Sequence, residues 1–363
     1  MNLIELEKTA FELAEKLIDG ERLSKEDFAL LIRAERELPE ENAAALREKL
    51  SKRALELKRL HYGNAVYVRG LIEVTNYCKN NCLYCGIRRG NPTAERYRLD
   101  KDEILACCEQ GYSLGFRTFV MQGGEDAYFT PERVAQIVRE IKQSYPDCAV
   151  TLSLGEHPKD GYALWREAGA DRDLLRHETA DAEHYSKLHP AEMKLETRME
   201  CLKSLRSLGY QVGCGMMIGS PYQSYETLAE DLVFIRDFRP QMVGIGPFIP
   251  AHDTPFANEK EGSFEQTLFM LSIVRILLPE VLLPSTTALG TIHPRGREMG
   301  ILAGGNVCMP NLSPADVRSK YSLYDNKLYT GSEAAQSLGE LEKRLETIGC
   351  EIAFVRGDSK LTE

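Results

Sequence analysis

From Ala65 onward the chain alternates short apolar runs with amphipathic helical stretches, and this alternation restricts its fold more than any other feature. The runs are Val66 to Val74, Thr118 to Met121, Val150 to Leu154, Asp173 to Leu175, Val212 to Ile218, Val243 to Phe248, Leu282 to Pro284 and Val307 to Met309. Helix signals sit between them. Asp100 with Glu103 forms a capping box, and Thr130 with Pro131 an N-cap and first-turn pair. Gly169 and Gly209 fall where helices should stop. Repeated strand–helix units predict an α/β fold, a complete (β/α)8 TIM barrel. The rival, a doubly wound sheet, would be expected to carry Gly-x-Gly-x-x-Gly after its first strand, and that pattern is absent. The expected partition is an N-terminal helical extension over 1–60, the barrel over 61–330, and a closing helix and tail over 331–363. Ser24 with Asp27 makes a further capping box in the extension.

Charge and cysteine usage narrow the class. The net charge is −10, with Lys and Arg scattered, which argues against a nucleic-acid partner. No apolar run approaches the ~20 residues of a membrane span. The acidic amphipathic start MNLIELEKTAFELAEKL is unlike a signal peptide, so a cytoplasmic protein is expected. Ten cysteines, three of them tightly clustered, favour a metal site in a reducing compartment over a disulfide framework.

In a parallel barrel, chemistry belongs at the C-terminal ends of the strands. The first such end carries Cys78-x-x-x-Cys82-x-x-Cys85, with Tyr84 before the last cysteine. Three thiolates on one loop can ligate three irons of a cubane, and no fourth cysteine or histidine lies nearby, so one iron is left open. A zinc knuckle is the bland alternative. Gln122, Gly123, Gly124 and Glu125 end the second run, where glycines let backbone approach a ligand and Glu125 adds an acceptor. Glu156, Arg176 and Glu178 end the third and fourth, and Arg198 follows on a helix. An arginine there can fork onto a carboxylate, though an ordinary ion pair reads about as well. Cys107, Cys108, Cys148, Cys201, Cys214, Cys308 and Cys350 read as small core residues. His61, His184 and His189 read as surface, and His177, His252 and His293 as polar contacts at strand ends.

The cysteine loop resembles the C-x-x-x-C-x-aromatic-C signature of the radical S-adenosylmethionine superfamily. The resemblance implies one [4Fe-4S] cluster whose open iron chelates S-adenosylmethionine, and reductive cleavage to a 5′-deoxyadenosyl radical. Gly123, Gly124 and Glu125 are similar to its element for the methionine ammonium, and Gly213 to Pro221 to its adenine element, with Ile218 facing the base. Longer stretches are more specific: NYCKNNCLYCGIRR, TLSLGEHP, RHETAD, VGIGPFIPAHDTPFAN and NVCMPNLSP. From about residue 62 to 325 they resemble the superfamily's maturases that help assemble the di-iron subcluster (H-cluster) of [FeFe]-hydrogenase. That implies S-adenosylmethionine contacts from Gln122, Gly124, Glu178, Arg198, Met309 and Tyr321. It also implies a substrate cavity lined by Thr151, Arg176, Met242, Thr286, Thr287 and Tyr324, for a small sulfur- and iron-bearing molecule. The expected partners are a low-potential donor of ferredoxin or flavodoxin type and the other maturases, including a scaffold protein. Some members carry a second cluster on C-terminal cysteines; with only Cys308 and Cys350 there, none is expected. The rival functions are methylornithine synthase, a biotin-synthase-like enzyme, and a non-catalytic iron–sulfur carrier.

Overall fold

A computed structural model describes residues 1–361. Nine short strands are β1 (Ala65–Val68), β2 (Gly70–Thr75), β3 (Thr118–Gly123), β4 (Ala149–Ser153), β5 (Arg172–Leu174), β6 (Gln211–Ile218), β7 (Met242–Pro247), β8 (Val307–Cys308) and β9 (Glu351–Ala353). β2 to β7 form a parallel six-stranded sheet in sequence order. Helices follow the strands and cover the outer face, including Lys101–Ser113, Pro131–Ser144, Lys159–Ala168, Tyr225–Phe238 and Phe264–Leu277. Parallel strands require such crossovers, and helix placement on the outer face follows.

Of the complete eight-stranded barrel expected from sequence, the described strands give this six-stranded sheet and a three-stranded one in the order β8-β1-β9. The run Val66 to Val74 is divided at Arg69 because its neighbours change there. On one edge the ladder is continuous: Tyr67, Arg69 and Leu71 donate to the carbonyls of Asn306, Cys308 and Pro310. On the other edge, β1 pairs with β9 and β2 with β3. The expected strand Leu282 to Pro284 appears as single parallel bridges, Met242 to Leu282 and Pro284 to Val307.

The capping boxes form as read: Ser24 with Asp27 opens helix Lys25–Glu37, and Asp100 with Glu103 opens helix Lys101–Ser113. Three helices, Leu3–Ile18, Lys25–Glu37 and Glu40–Tyr62, precede the sheet and pack into the same core through Leu13, Phe28, Leu31 and Leu46. The tail runs under the N-terminal end of the sheet. Arg172, fully buried in β5, donates to the carbonyl of Arg356 at 2.8 Å and to the Asp358 carboxylate. Arg356 pairs in turn with Asp171 at 2.9 Å. No helix among the described residues is long and apolar enough to cross a membrane.

Candidate active site

Strand β2 delivers the chain to the cysteine loop, and several side chains fix the loop's path. Asn76 donates to the carbonyls of Glu95 and Lys320 at 2.8 and 2.7 Å. Arg96 spans the loop from inside, donating to the carbonyls of Asn76, Ile87 and Arg88. From below, Leu83 N–H bonds to the Leu188 carbonyl at 2.9 Å, and the sulfurs of Cys82 and Met193 lie 3.8 Å apart. Tyr84 is held by His189. The imidazole Nδ1 donates to the Tyr185 carbonyl at 2.9 Å, which leaves Nε2 to accept from the Tyr84 hydroxyl at 3.1 Å. Burial, with Glu178 as a lesser contributor, keeps the Tyr84 phenol protonated.

Burial pushes all three thiols up, Cys85 to about 12; neighbouring cysteines add to it at Cys82 and Cys85, and Glu125 at Cys78. Thiolate is the ligand form, so this arrangement suits a cationic partner that offsets the crowded charge. Among the described residues, no three His, Cys, Asp or Glu side chains converge tightly enough for a single ion. A cubane puts each thiolate on its own iron and accepts the wider spacing. Three soft donors with no fourth protein ligand therefore fit an iron–sulfur cluster with one open iron.

Beside the loop stand the ends of the next strands. Gly124 lies so close to it that an added Cβ would sit 2.2 Å from the Tyr77 carbonyl and 2.7 Å from the Cys78 Cβ. Gly155, at φ +87°, leaves room for the Glu125 side chain, 2.0 Å from where a Cβ would be. Glu125 is buried and pairs with Lys79 at 2.9 Å. Past β5, Glu178 holds φ +65°, a left-handed conformation that costs a non-glycine residue about 1 kcal/mol or more. Its carboxylate lies 3.0 Å from Arg176, whose buried Nε has no hydrogen-bond partner. Arg198 lies nearby, bonded to Glu156 and to the Arg176 carbonyl. Gln122 reaches the Tyr321 hydroxyl at 3.4 Å.

On the sheet's inner face, the hydroxyls of Thr151 and Thr286 are buried without partners. Tyr324 is half-buried, with Thr291, Arg297 and Glu333 around its phenol. Other expected residues fall elsewhere. Ile218 packs in the main core between sheet and helices, because the period of two turns Met217 inward instead. Met217 shares a buried cluster with Leu188, Phe248 and Phe256, against Leu83 and Tyr84. Met309 packs on an inner apolar cluster with Met242, Leu282 and Val307. Met242 is at the N-terminal end of β7, with its sulfur 3.0 Å from Arg69. The Thr287 hydroxyl is taken up by Glu333 and Arg297, each at 3.0 Å. His184 and His189, expected at the surface, are both buried. Glu73 was missed as well; its signal is a lone carboxylate inside the apolar strand GLIEVT.

The fold and the loop define the class: this is a radical S-adenosylmethionine enzyme, working with a [4Fe-4S] cluster and S-adenosylmethionine. The model of the Radical SAM superfamily matches residues 72–235. The [FeFe] hydrogenase maturase subunit HydE of Thermotoga maritima is 45% identical over 85% of this chain and 88% of its own. The 3-methylornithine synthase of Methanosarcina acetivorans is 29% identical over 93% of each chain. Among solved structures, methylornithine synthase superimposes with a TM-score of 0.80 at 26% identity, covering 94% of this chain and 97% of its own. The maturase HydG superimposes with 0.78 at 19% identity, covering 97% and 78%, a likeness of fold. The chain belongs to the radical SAM superfamily and, within it, to the HydE family of [FeFe]-hydrogenase maturases.

Proposed function

We propose that this enzyme cleaves S-adenosylmethionine at the mouth of a closed barrel and directs the 5′-deoxyadenosyl radical onto a small sulfur- and iron-bearing molecule inside it. The step serves assembly of the di-iron subcluster of [FeFe]-hydrogenase. The bridges from Met242 to Leu282 and from Pro284 to Val307, with the ladder from Tyr67 to Pro310, support closure of the sheet into eight staves. The barrel would span 61–330, flanked by the helical extension and the C-terminal segment.

The observation that carries the reading is the set of buried, unpartnered polar atoms on the inner face: Thr151 Oγ1, Thr286 Oγ1 and Arg176 Nε. Buried polar groups without partners cost about 1–3 kcal/mol each, so a ligand that satisfies them explains their retention. A cation and two hydroxyls left open in this way suit a small anionic ligand. Cys78, Cys82 and Cys85 would hold the cluster, which when bound supplies the electron that splits the sulfonium. Tyr84 and Met217 would shape the adenine side. Gln122, Gly124, Glu178, Arg198 and Tyr321 would hold the remainder of S-adenosylmethionine, with Arg198 or Arg176 facing its carboxylate. Deep placement keeps water from the radical.

A ferredoxin- or flavodoxin-type donor in the cytoplasm would deliver the electron, and the other maturases, including a scaffold, would exchange substrate and product with this enzyme. The likeness to methylornithine synthase names the rival. Anaerobic incubation with lysine yields methylornithine under that rival, whereas under our reading lysine is left unchanged and hydrogenase activation in a maturase mixture depends on this chain.

A further inference from the structure

We propose that Glu73 and Lys327 form a positioning pair that sets the distance between the cysteine loop and the wall of the S-adenosylmethionine pocket. The inference rests on the reading above, in which Tyr321 belongs to that wall. Glu73 is completely buried in β2, five residues before Cys78. Its carboxylate pairs with the ammonium of Lys327, itself only 10% exposed, and accepts from Asn311 at 2.8 Å. The same ammonium donates to the Tyr321 carbonyl at 2.9 Å and stands 4.8 Å from the centre of the Tyr321 ring. Lys327 thus holds Tyr321 by backbone and by ring face, while Glu73 ties Lys327 to the strand that launches the cluster loop.

Further bonds knit the same segment to the loop. Gly86 N–H donates to the Leu323 carbonyl at 2.8 Å, and Asn76 to the Lys320 carbonyl at 2.7 Å. The strand neighbour of Glu73 in the sheet is Gln122, which reaches the Tyr321 hydroxyl. One strand therefore addresses both the cluster ligands and the opposite wall. A buried ion pair is seldom retained for stability, since a well-packed apolar pair of equal volume does as well. Its value lies in a single defined geometry, here that of the segment carrying Tyr321 and Tyr324.

The test uses the iron-loaded enzyme with dithionite and S-adenosylmethionine, following 5′-deoxyadenosine release, iron content and urea unfolding. Lys327→Met is expected to raise KM for S-adenosylmethionine about tenfold, with kcat changed about twofold at most and iron content unchanged. Lys327→Arg should recover most of the loss. The double variant Glu73→Gln/Lys327→Met removes the unpaired buried charge, so it should regain stability while keeping the raised KM. If the double variant regains stability and KM together, or if Lys327→Met leaves KM unchanged, the pair is structural only and the proposal fails. Tyr321→Ala separates the two layers. An unchanged KM in that variant refutes the pocket assignment itself, whereas a raised KM beside a normal Lys327→Met overturns only the positioning role.

Discussion

Two polar clusters on the parallel sheet, one around Arg172 and one around Arg176, treat their buried groups in opposite ways. At the N-terminal end, Arg172 finds partners for every arm of its guanidinium: Thr118, Gln211, the Arg356 carbonyl and Asp358. Gln211 also donates to Asp358 at 3.0 Å. There the chain supplies its own counter-groups, mostly from residues 356–359. Further along the inner face and toward the C-terminal edge, Thr151, Thr286 and Arg176 carry polar atoms that nothing in the chain satisfies. Glu178 adds a strained backbone in the same region. The saturated cluster around Arg172 serves stability, while the open valence of Thr151, Thr286 and Arg176 suits a ligand.

The largest effect expected from this contrast is at the cysteine loop. Cys82→Ser should lower 5′-deoxyadenosine formation on the order of a thousandfold or more, with the urea unfolding curve of the metal-free chain scarcely moved. At the opposite end the balance reverses. Asp358→Ala should cost about 1–2 kcal/mol in urea unfolding, because buried Arg172 loses its counter-charge while Asp358 itself is partly screened by solvent. Its S-adenosylmethionine cleavage should stay close to that of the parent. Thr151→Val gives the sharpest contrast: removing an unpartnered hydroxyl at constant shape should raise stability by about 1 kcal/mol while weakening turnover of the physiological substrate. A loss of stability there would show that the hydroxyl is satisfied in the ligand-free protein and would erase the distinction between the two clusters.

The smallest effect is one of pH. Burial pushes His189 down to about 3, with Arg198 adding to it and the bond to the Tyr185 carbonyl opposing. A base whose folded pKa lies below its unfolded value near 6.5 gives stability that is full above that value. The stability is lost as pH falls from about 6.5 toward 3, because the unfolded chain takes up a proton that the folded one refuses. From pH 7 to pH 6 the parent should lose about 0.7 kcal/mol more than His189→Asn, measured by urea titration at both pH values.

Local signals were legible in the sequence, and long-range ones were not. Ser24, Asp100 and Thr130 cap helices as their spacing says, because a cap is decided within four residues. The strand cores were legible too, and with them the place of the cysteine loop. The division of the first run at Arg69 was hidden, since it depends on which strands lie alongside rather than on the run itself. The strand Glu351–Ala353 has an exposed glutamate and no alternating pattern, so nothing local announces it. Within the site, Ile218 and Met217 are both apolar, and only the sheet register decides which one turns inward. His184 and His189 sit in a stretch rich in charged residues. Their burial comes from packing under the cysteine loop and against Pro221, which no window of sequence displays.

The pairing of β1 with β9 has a consequence for biosynthesis. Residues 65–67 are made well before their partners, residues 351–353, which lie far along the chain. The anion–cation network around Arg172 likewise awaits residues 356–358. This edge of the fold therefore waits for a mate that is made much later. Contacts of such long range form late in folding, so iron and sulfide can reach the cysteine loop while the neighbouring strand still lacks its partner.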